Sequence, residues 1–356
     1  MSKKKKKSKL KLYIFGILAV LLIVGVFVGY SIYSDNLLPN IFINNEAKKY
    51  IYIYPDDDFD SVMKKIEESG NVRDMSAFTS VAKHQEYAES IKPGKYEMVN
   101  QMSNIQLVRN LKNGRQATQR ITFNNIRTKQ QFCDRIGEIM MFSSTDLLGL
   151  LNSDSLYRKD FMKETKLNDK TIVSLFIPNT YDVYWTDSPL SFVQRMKSEY
   201  DRFWNEERSA KADSLHLTRT EVSILASIVE EETKNKKEQP TVAGLYYNRV
   251  NIGMALQADP TVKFAVGDFS IKRIRQGHLE VDSPYNTYKY PGLPPGPIRL
   301  PSINVIDAVL NLEHHKYLYM CASDKFDGTH NFAQTYDEHQ VFANKYRKAL
   351  NRRKIK

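Results

Sequence analysis

The chain of 356 residues has only two cysteines, Cys133 and Cys321, far apart in the sequence. Two thiols so placed give no disulfide framework and no metal-ligand spacing, so they are expected as small core residues, though one bridge between them is open. No H-E-x-x-H stretch occurs, and although His314, His315, His330 and His339 gather near the C-terminus with Asp324 and Asp327, the adjacent His314 and His315 cannot both aim at one site on a regular element. Metal chemistry is not expected, and no cofactor is implied. Internal repeats are absent, as are low-complexity tracts beyond the N-terminal lysines, which excludes solenoid architectures. Acidic residues are missing from positions 1–11, "MSKKKKKSKLK", and charge of either sign is missing from positions 12–33.

These last two absences decide how the charge is read. The formal net charge is +11, but seven of the 52 Lys and Arg lie in that first stretch, leaving 45 against 41 Asp and Glu. The remainder is nearly balanced, so a nucleic-acid partner is not expected. Twenty-two uncharged residues, "LYIFGILAVLLIVGVFVGYSIY", are enough helix to cross a hydrocarbon core of about 30 Å. The run is too long for a signal peptide and has no small-residue cleavage pattern at its end, which predicts a retained anchor. The positive-inside rule then places residues 1–11 in the cytoplasm and the rest beyond the membrane.

Composition along the chain predicts five parts: a basic tail (1–11), a transmembrane helix (12–33), an Asn-rich linker (34–48), a small α+β unit (49–121) and a larger mixed α/β domain (122–350). In the small unit, "YIYIYP" and "KPGKYEMV" alternate as strands do, while "DDFDSVMKKIEESG", "DMSAFTSVAKHQEY" and "SNIQLVRNLKNG" carry helical spacing. "QATQRITF" is a further strand, and from about Thr122 helical segments dominate.

The stretch "ASIVEEET" raises the sharpest question. Thr218 and Glu221 are spaced as a capping box, so a helix starts there. On that helix Glu232 falls in line with Leu225, Ile228 and Val229, whereas Glu230 follows Ser223 and Ala226, and Glu231 follows Ser227. An acid on the buried stripe either pairs with a cation such as Arg249 or lines a cleft where desolvation raises its pKa toward neutrality. The second state is what a general acid at a glycosidic oxygen needs. Downstream, "LQADPTV" sets Gln257, Asp259 and Thr261 beside a proline, and "YNTY" frames Asn286 and Thr287 with Tyr285 and Tyr288. "YPGLPPGP" makes a rigid loop. Aromatics and amides on rigid loops beside a cleft suit a carbohydrate.

Taken together, "ASIVEEET", Glu238, "NRV" with "GMALQADPTV", "YNTY", "GLPPGPI" and the closing "YLYM", "GTHNF" and "EH" resemble the YceG-like (MltG) endolytic murein transglycosylases, in unbroken order from about residue 217 to 340. The chain departs from the family pattern at Asn179 in "PNTY", at "NNIR" after "RITF", and at "RLPS" after the proline loop. The resemblance implies an α+β protein with one membrane anchor, a LysM-like subdomain and a catalytic domain. It implies Glu232 as the acid that cleaves the bond between N-acetylmuramic acid and N-acetylglucosamine without water, leaving a 1,6-anhydro end. It further implies Asn248, Arg249, Gln257, Asp259, Thr261, Tyr285, Asn286, Thr287 and Tyr288 as cleft residues, with Glu238 behind them. The implied partners are peptidoglycan strands, the inner membrane and the peptidoglycan synthases. Two alternatives stand beside this reading: a hydrolase of the same polymer with Asp259 as base, and a non-catalytic wall-binding scaffold.

Overall fold

The computed structural model describes residues 2–43 and 48–353, with side chains from Lys11 onward. Positions 44–47 of the expected linker, Met1 and the last three residues of the C-terminal "NRRKIK" lie outside the described residues. Helix α1 runs Ser2–Leu37, and its Lys11–Leu37 part is long and apolar enough to cross a membrane, at about 40 Å by helical rise. Its side chains are apolar on every side and unburied by protein, so no single face could serve a water-soluble core.

Contacts divide the rest into two units. The first, residues 1–119 with 182–186, contains β1 (Lys48–Ile53), α2 (Phe59–Glu68), α3 (Met75–His84), β2 (Gly94–Val99) and α4 (Asn104–Asn113), followed by the start of β3 (Thr118–Thr122). β1 and β2 pair antiparallel from Lys48↔Val99 to Ile53↔Gly94. The alternation in β1 buries Ile51 and Ile53 and leaves the tyrosines outward. Local chemistry fixes the helix ends: Asp58 and Asp74 cap α2 and α3, and Ser103 with Gln106 forms a capping box on α4. Gly114 closes α4 in the left-handed region.

The linker expected over 34–48 is corrected in part. Ser34–Leu37 complete α1, and of the residues that follow, Ile41 and Ile43 enter the first unit's core, Ile41 fully buried and Ile43 nearly so. Asn40 is one asparagine of the segment with a structural role. Its amide donates to the Asp74 carbonyl and to Asn104 Oδ1, both at 2.8 Å, and its own oxygen accepts from the Asp74 amide at 2.9 Å. These side-chain bonds add to backbone bonds from the Asn40 and Ile41 amides to the Met102 carbonyl, so this stretch is tied into the first unit. A second feature that linear reading does not foresee is the return of Trp185, packed edge-on to Tyr52 and Tyr54 with centroids 5.0 and 4.9 Å away.

The second unit holds α5 (Lys129–Gly137), α6 (Ser144–Leu151), the single turns α7 (Asp154–Tyr157) and α8 (Asp160–Lys163), then the first two residues of β4 (Thr180–Tyr184), a strand that pairs with β3 and whose remainder belongs to the first unit. α9 (Pro189–Phe203) and α10 (Glu206–Ser214) follow, and then α11 (Arg219–Glu232), α12 (Gln239–Asn251), α13 (Asp259–Val266), the turn α14 (Gln276–Leu279) and α15 (Ile303–Leu310). The hairpin β5 (Tyr319–Ala322) and β6 (His330–Ala333) and the long α16 (Tyr336–Arg352) end the chain. α11 is the central element. Val222–Val229 are all buried, because α12, α13 and α15 all pack against it. Both cysteines are free thiols, Cys133 buried in α5 and Cys321 half-buried in β5.

Candidate active site

The capping box expected at Thr218 is present: Thr218 Oγ1 accepts from the Glu221 amide at 3.2 Å, and Glu221 accepts from the Thr218 amide at 2.8 Å. The other end of α11 is electrostatically unusual. Three consecutive glutamates sit where the helix dipole already presents negative charge, which disfavours them unless each is compensated.

Each glutamate is compensated differently. Glu230 accepts from the Ser302 amide at 2.8 Å, at the start of α15, with Arg299 3.6 Å away. Glu231 takes Arg299 at 2.6 Å and Arg127 at 3.1 and 3.2 Å. Among the described residues Glu232 meets no cation within ion-pairing distance, only the Tyr246 hydroxyl, which donates to Oε1 at 2.8 Å. Desolvation by its packed neighbours pushes the Glu232 pKa up to about 7; the Tyr246 hydrogen bond and the more distant Arg249 and Lys263 oppose the rise, and Asp259 adds to it.

The faces of the helix therefore do not separate the three acids as the spacing suggested. All three are half-buried, since α11 is covered all round. What distinguishes Glu232 is the absence of a paired cation. The alternative partner Arg249 is committed elsewhere: its Nε donates to the Leu318 carbonyl and its Nη1 to that of Leu256, both at 2.6 Å. It ties α12 to the β5 strand region and to the Gln257 loop.

The remaining expected residues fall into two groups. Gln257 and Asp259 are exposed, and Tyr285 and Tyr288 partly so. Tyr288 donates to Asp259 Oδ1 at 2.7 Å, and Tyr285 packs on Phe264 with centroids 4.7 Å apart. Gln257 adopts a left-handed backbone at φ 51°, held by its amide bond to the Thr287 carbonyl. Thr261, Asn286 and Thr287 are a correction: at 0–1% exposure they lie beneath the surface. Thr287 Oγ1 accepts from the Ala258 amide and bonds the Thr261 hydroxyl at 2.8 Å, while the Asn286 amide donates to the Leu279 and Val281 carbonyls. These three brace the loop from which Asp259 and Tyr288 project. Asn248 is a brace too, donating to the His315 and Tyr317 carbonyls. Glu238 accepts from both the amide and Nδ1 of His330 at 2.8 and 3.0 Å, joining α12 to β6.

Four residues escaped sequence reasoning. Tyr246 has a signal, its place on the inward stripe of α12, 14 positions after Glu232 in sequence. Arg127, Arg299 and Lys263 lie in unrelated stretches with no periodic signal at all. Two of the departures noted above meet here: Asn125 takes the left-handed conformation, φ 53°, and its side chain accepts from Arg299 at 3.0 Å. A hollow of about 620 Å³ lies at the opposite end of α11 around Thr218–Thr220, about 20 Å of helix from Glu232. Glu232 does not line this hollow.

A carboxyl that burial raises toward neutrality, hydrogen-bonded by a buried phenol, has the chemistry a general acid needs, which makes Glu232 the candidate here. Residues 51–345 match the YceG-like family, and the chain belongs to that family. It is similar to the endolytic murein transglycosylase of Streptococcus pneumoniae serotype 2 (strain D39), 26% identical over 352 residues, covering 91% of this chain and 63% of that protein. The chain thus spans less than two thirds of that relative's length. The endolytic murein transglycosylase of Bacillus subtilis (strain 168) is 35% identical over 179 residues, 49% of this chain and 48% of that one. The crystal structure of a YceG-like protein from Listeria monocytogenes superposes with a TM-score of 0.55 at 25% identity, covering 83% of this chain and 98% of that one.

Proposed function

We propose that the chain is a membrane-anchored endolytic lytic transglycosylase of peptidoglycan, cutting MurNAc–GlcNAc bonds within nascent strands and so ending their elongation. One observation carries this reading: among the described residues Glu232 meets no cation within ion-pairing distance, and burial pushes its carboxyl pKa up to about 7. Such a carboxyl can hand its proton to the glycosidic oxygen as the bond to C1 breaks. The carboxylate left behind, still hydrogen-bonded by Tyr246, can then take the proton of the muramyl 6-hydroxyl as that oxygen closes on C1. One residue serves both steps and is reprotonated at the end, so no water enters. Family membership and the names of the relatives support the substrate.

In this reading α1 anchors the protein in the cytoplasmic membrane with its lysines inside, following the positive-inside rule, and the two units work on the outer side. The first unit is a LysM-like module, and the peptidoglycan synthases are the neighbours in the wall-building machinery. A second reading rests on Asp259, an exposed carboxylate whose charge is felt at Glu232. An acid paired with an ionised carboxylate is the equipment of a glycoside hydrolase, with Asp259 activating a water.

Digestion of uncrosslinked glycan strands by the detergent-solubilised chain and its Glu232→Gln variant, followed by mass spectrometry, tests both. Internal fragments with 1,6-anhydro-muramyl ends, absent for the variant, are expected. Reducing ends would replace the first reading by the second, and intact strands with both proteins would leave only a scaffold.

A further inference from the structure

The hollow of about 620 Å³ at the start of α11 takes no part in the proton transfers described above. Its size is that of a small-molecule site rather than of a packing defect. α11 opens on it with the amides of Arg219 and Thr220, which no intrahelical carbonyl can reach and which make no hydrogen bond among the described residues. A second, independent observation comes from α9. Tyr200 is 1% exposed and lines the same hollow, and its hydroxyl makes no hydrogen bond among the described residues. Burying a hydroxyl without a partner is unfavourable, so a side chain otherwise packed in the core and left unpaired at a hollow points to a ligand that completes it.

Charge decides the class of ligand. On the lining, Lys166, Lys197 and Arg219 are matched by Glu164, Asp201 and Asp213, with Lys197 and Asp201 bonded at 2.5 Å. Glu221, which accepts from the Thr218 amide, offsets the positive end of the helix. With no surplus of either sign, the hollow has nothing to repay the desolvation of an ion. A neutral, hydroxyl-rich molecule can accept from the Tyr200 hydroxyl and from the Arg219 and Thr220 amides while it donates to Glu164 or Asp213, neither of which makes an ion pair among the described residues. Ala212 and Leu217, both buried, add a small apolar patch to the lining, suited to an acetamido methyl. We propose that this hollow is a second carbohydrate site, taking an N-acetylhexosamine unit of a glycan strand about 20 Å of helix away from the acid. The strand as the source of that sugar rests on the transglycosylase reading; the neutral-sugar site itself does not.

The chain has two tryptophans, and Trp204 packs on Tyr200 with centroids 6.3 Å apart while the Arg219 guanidinium lies 6.0 Å from its ring. Trp185→Phe therefore leaves Trp204 as the single indole fluorophore of the detergent-solubilised chain. Titration with chitotetraose, a neutral tetramer of N-acetylglucosamine, should change its emission saturably. Tyr200→Phe, which takes no hydrogen bond from the fold, should weaken binding about three- to tenfold, as for one lost hydrogen bond. Thr220→Phe, which fills the hollow from α11, should abolish it. No response to the sugar, an unchanged Kd in Tyr200→Phe, or a response to inorganic phosphate in place of the sugar would each overturn the proposal. So would a Kd displaced by Glu232→Gln, because the sugar would then be bound at the acid. Sugar binding by a chain whose strand digests contain no anhydro ends would keep the site and remove the transglycosylase reading, and anhydro ends without sugar binding would do the reverse.

Discussion

Replacing Glu232 with Gln should make the protein more stable at alkaline pH and leave it nearly unchanged at acid pH. In the folded chain the carboxyl keeps its proton up to about pH 7, whereas the ordinary value is 4.5. Between those values the folded state binds the extra proton, so stability falls as pH rises and the full penalty is present above pH 7. The difference amounts to at most about 3 kcal/mol. Gln has no proton to lose and can still accept from Tyr246, so the variant escapes that penalty. For a unit of this size the gain corresponds to roughly 5–10 °C in thermal midpoint at pH 8. Melting curves of the detergent-solubilised chain and the variant at pH 4.5 and pH 8 measure it, and all other titrating groups cancel in the comparison. An equal difference at both pH values, or a less stable variant at pH 8, would refute the claim that Glu232 is a desolvated acid without a counter-charge.

Strand cleavage should decline as pH rises through about 7, because the protonated acid disappears; Tyr246→Phe removes a hydrogen bond that favours the carboxylate, so its pH–rate profile should keep activity to higher pH while its maximal rate drops. Arg299→Met leaves Glu231 with one partner and frees Glu230 of its nearby cation, and it should cost about 3 kcal/mol in denaturant unfolding. Gly244→Ala should destabilise by about 2 kcal/mol, because an added Cβ would lie 2.2 Å from the Glu313 carbonyl oxygen, a backbone atom that cannot move aside cheaply. An unchanged midpoint would show that the segment after α15 is free to shift.

Much of this protein is set by local chemistry. The uncharged run of α1, the aspartate and serine caps of α2, α3 and α4, the alternation of β1 and the capping box of α11 act over a few residues, so their residue types alone specify them. The position of Glu232 at the end of α11 is legible for the same reason, but the helical period does not set it apart from Glu230 and Glu231, because all three are half-buried. The partners that make it an acid are not legible. Glu230, Glu231 and Glu232 are chemically identical and adjacent. Only the arrival of Arg127 and Arg299 from about 100 and 70 positions away neutralises the first two and leaves the third to Tyr246. Likewise Asn286 and Thr287 look like ligand contacts in a sequence, since amides and hydroxyls suit sugars as well as loops. Tertiary packing decides that they are buried braces, because a backbone carbonyl or amide within 3.1 Å uses the same hydrogen bonds that a sugar would.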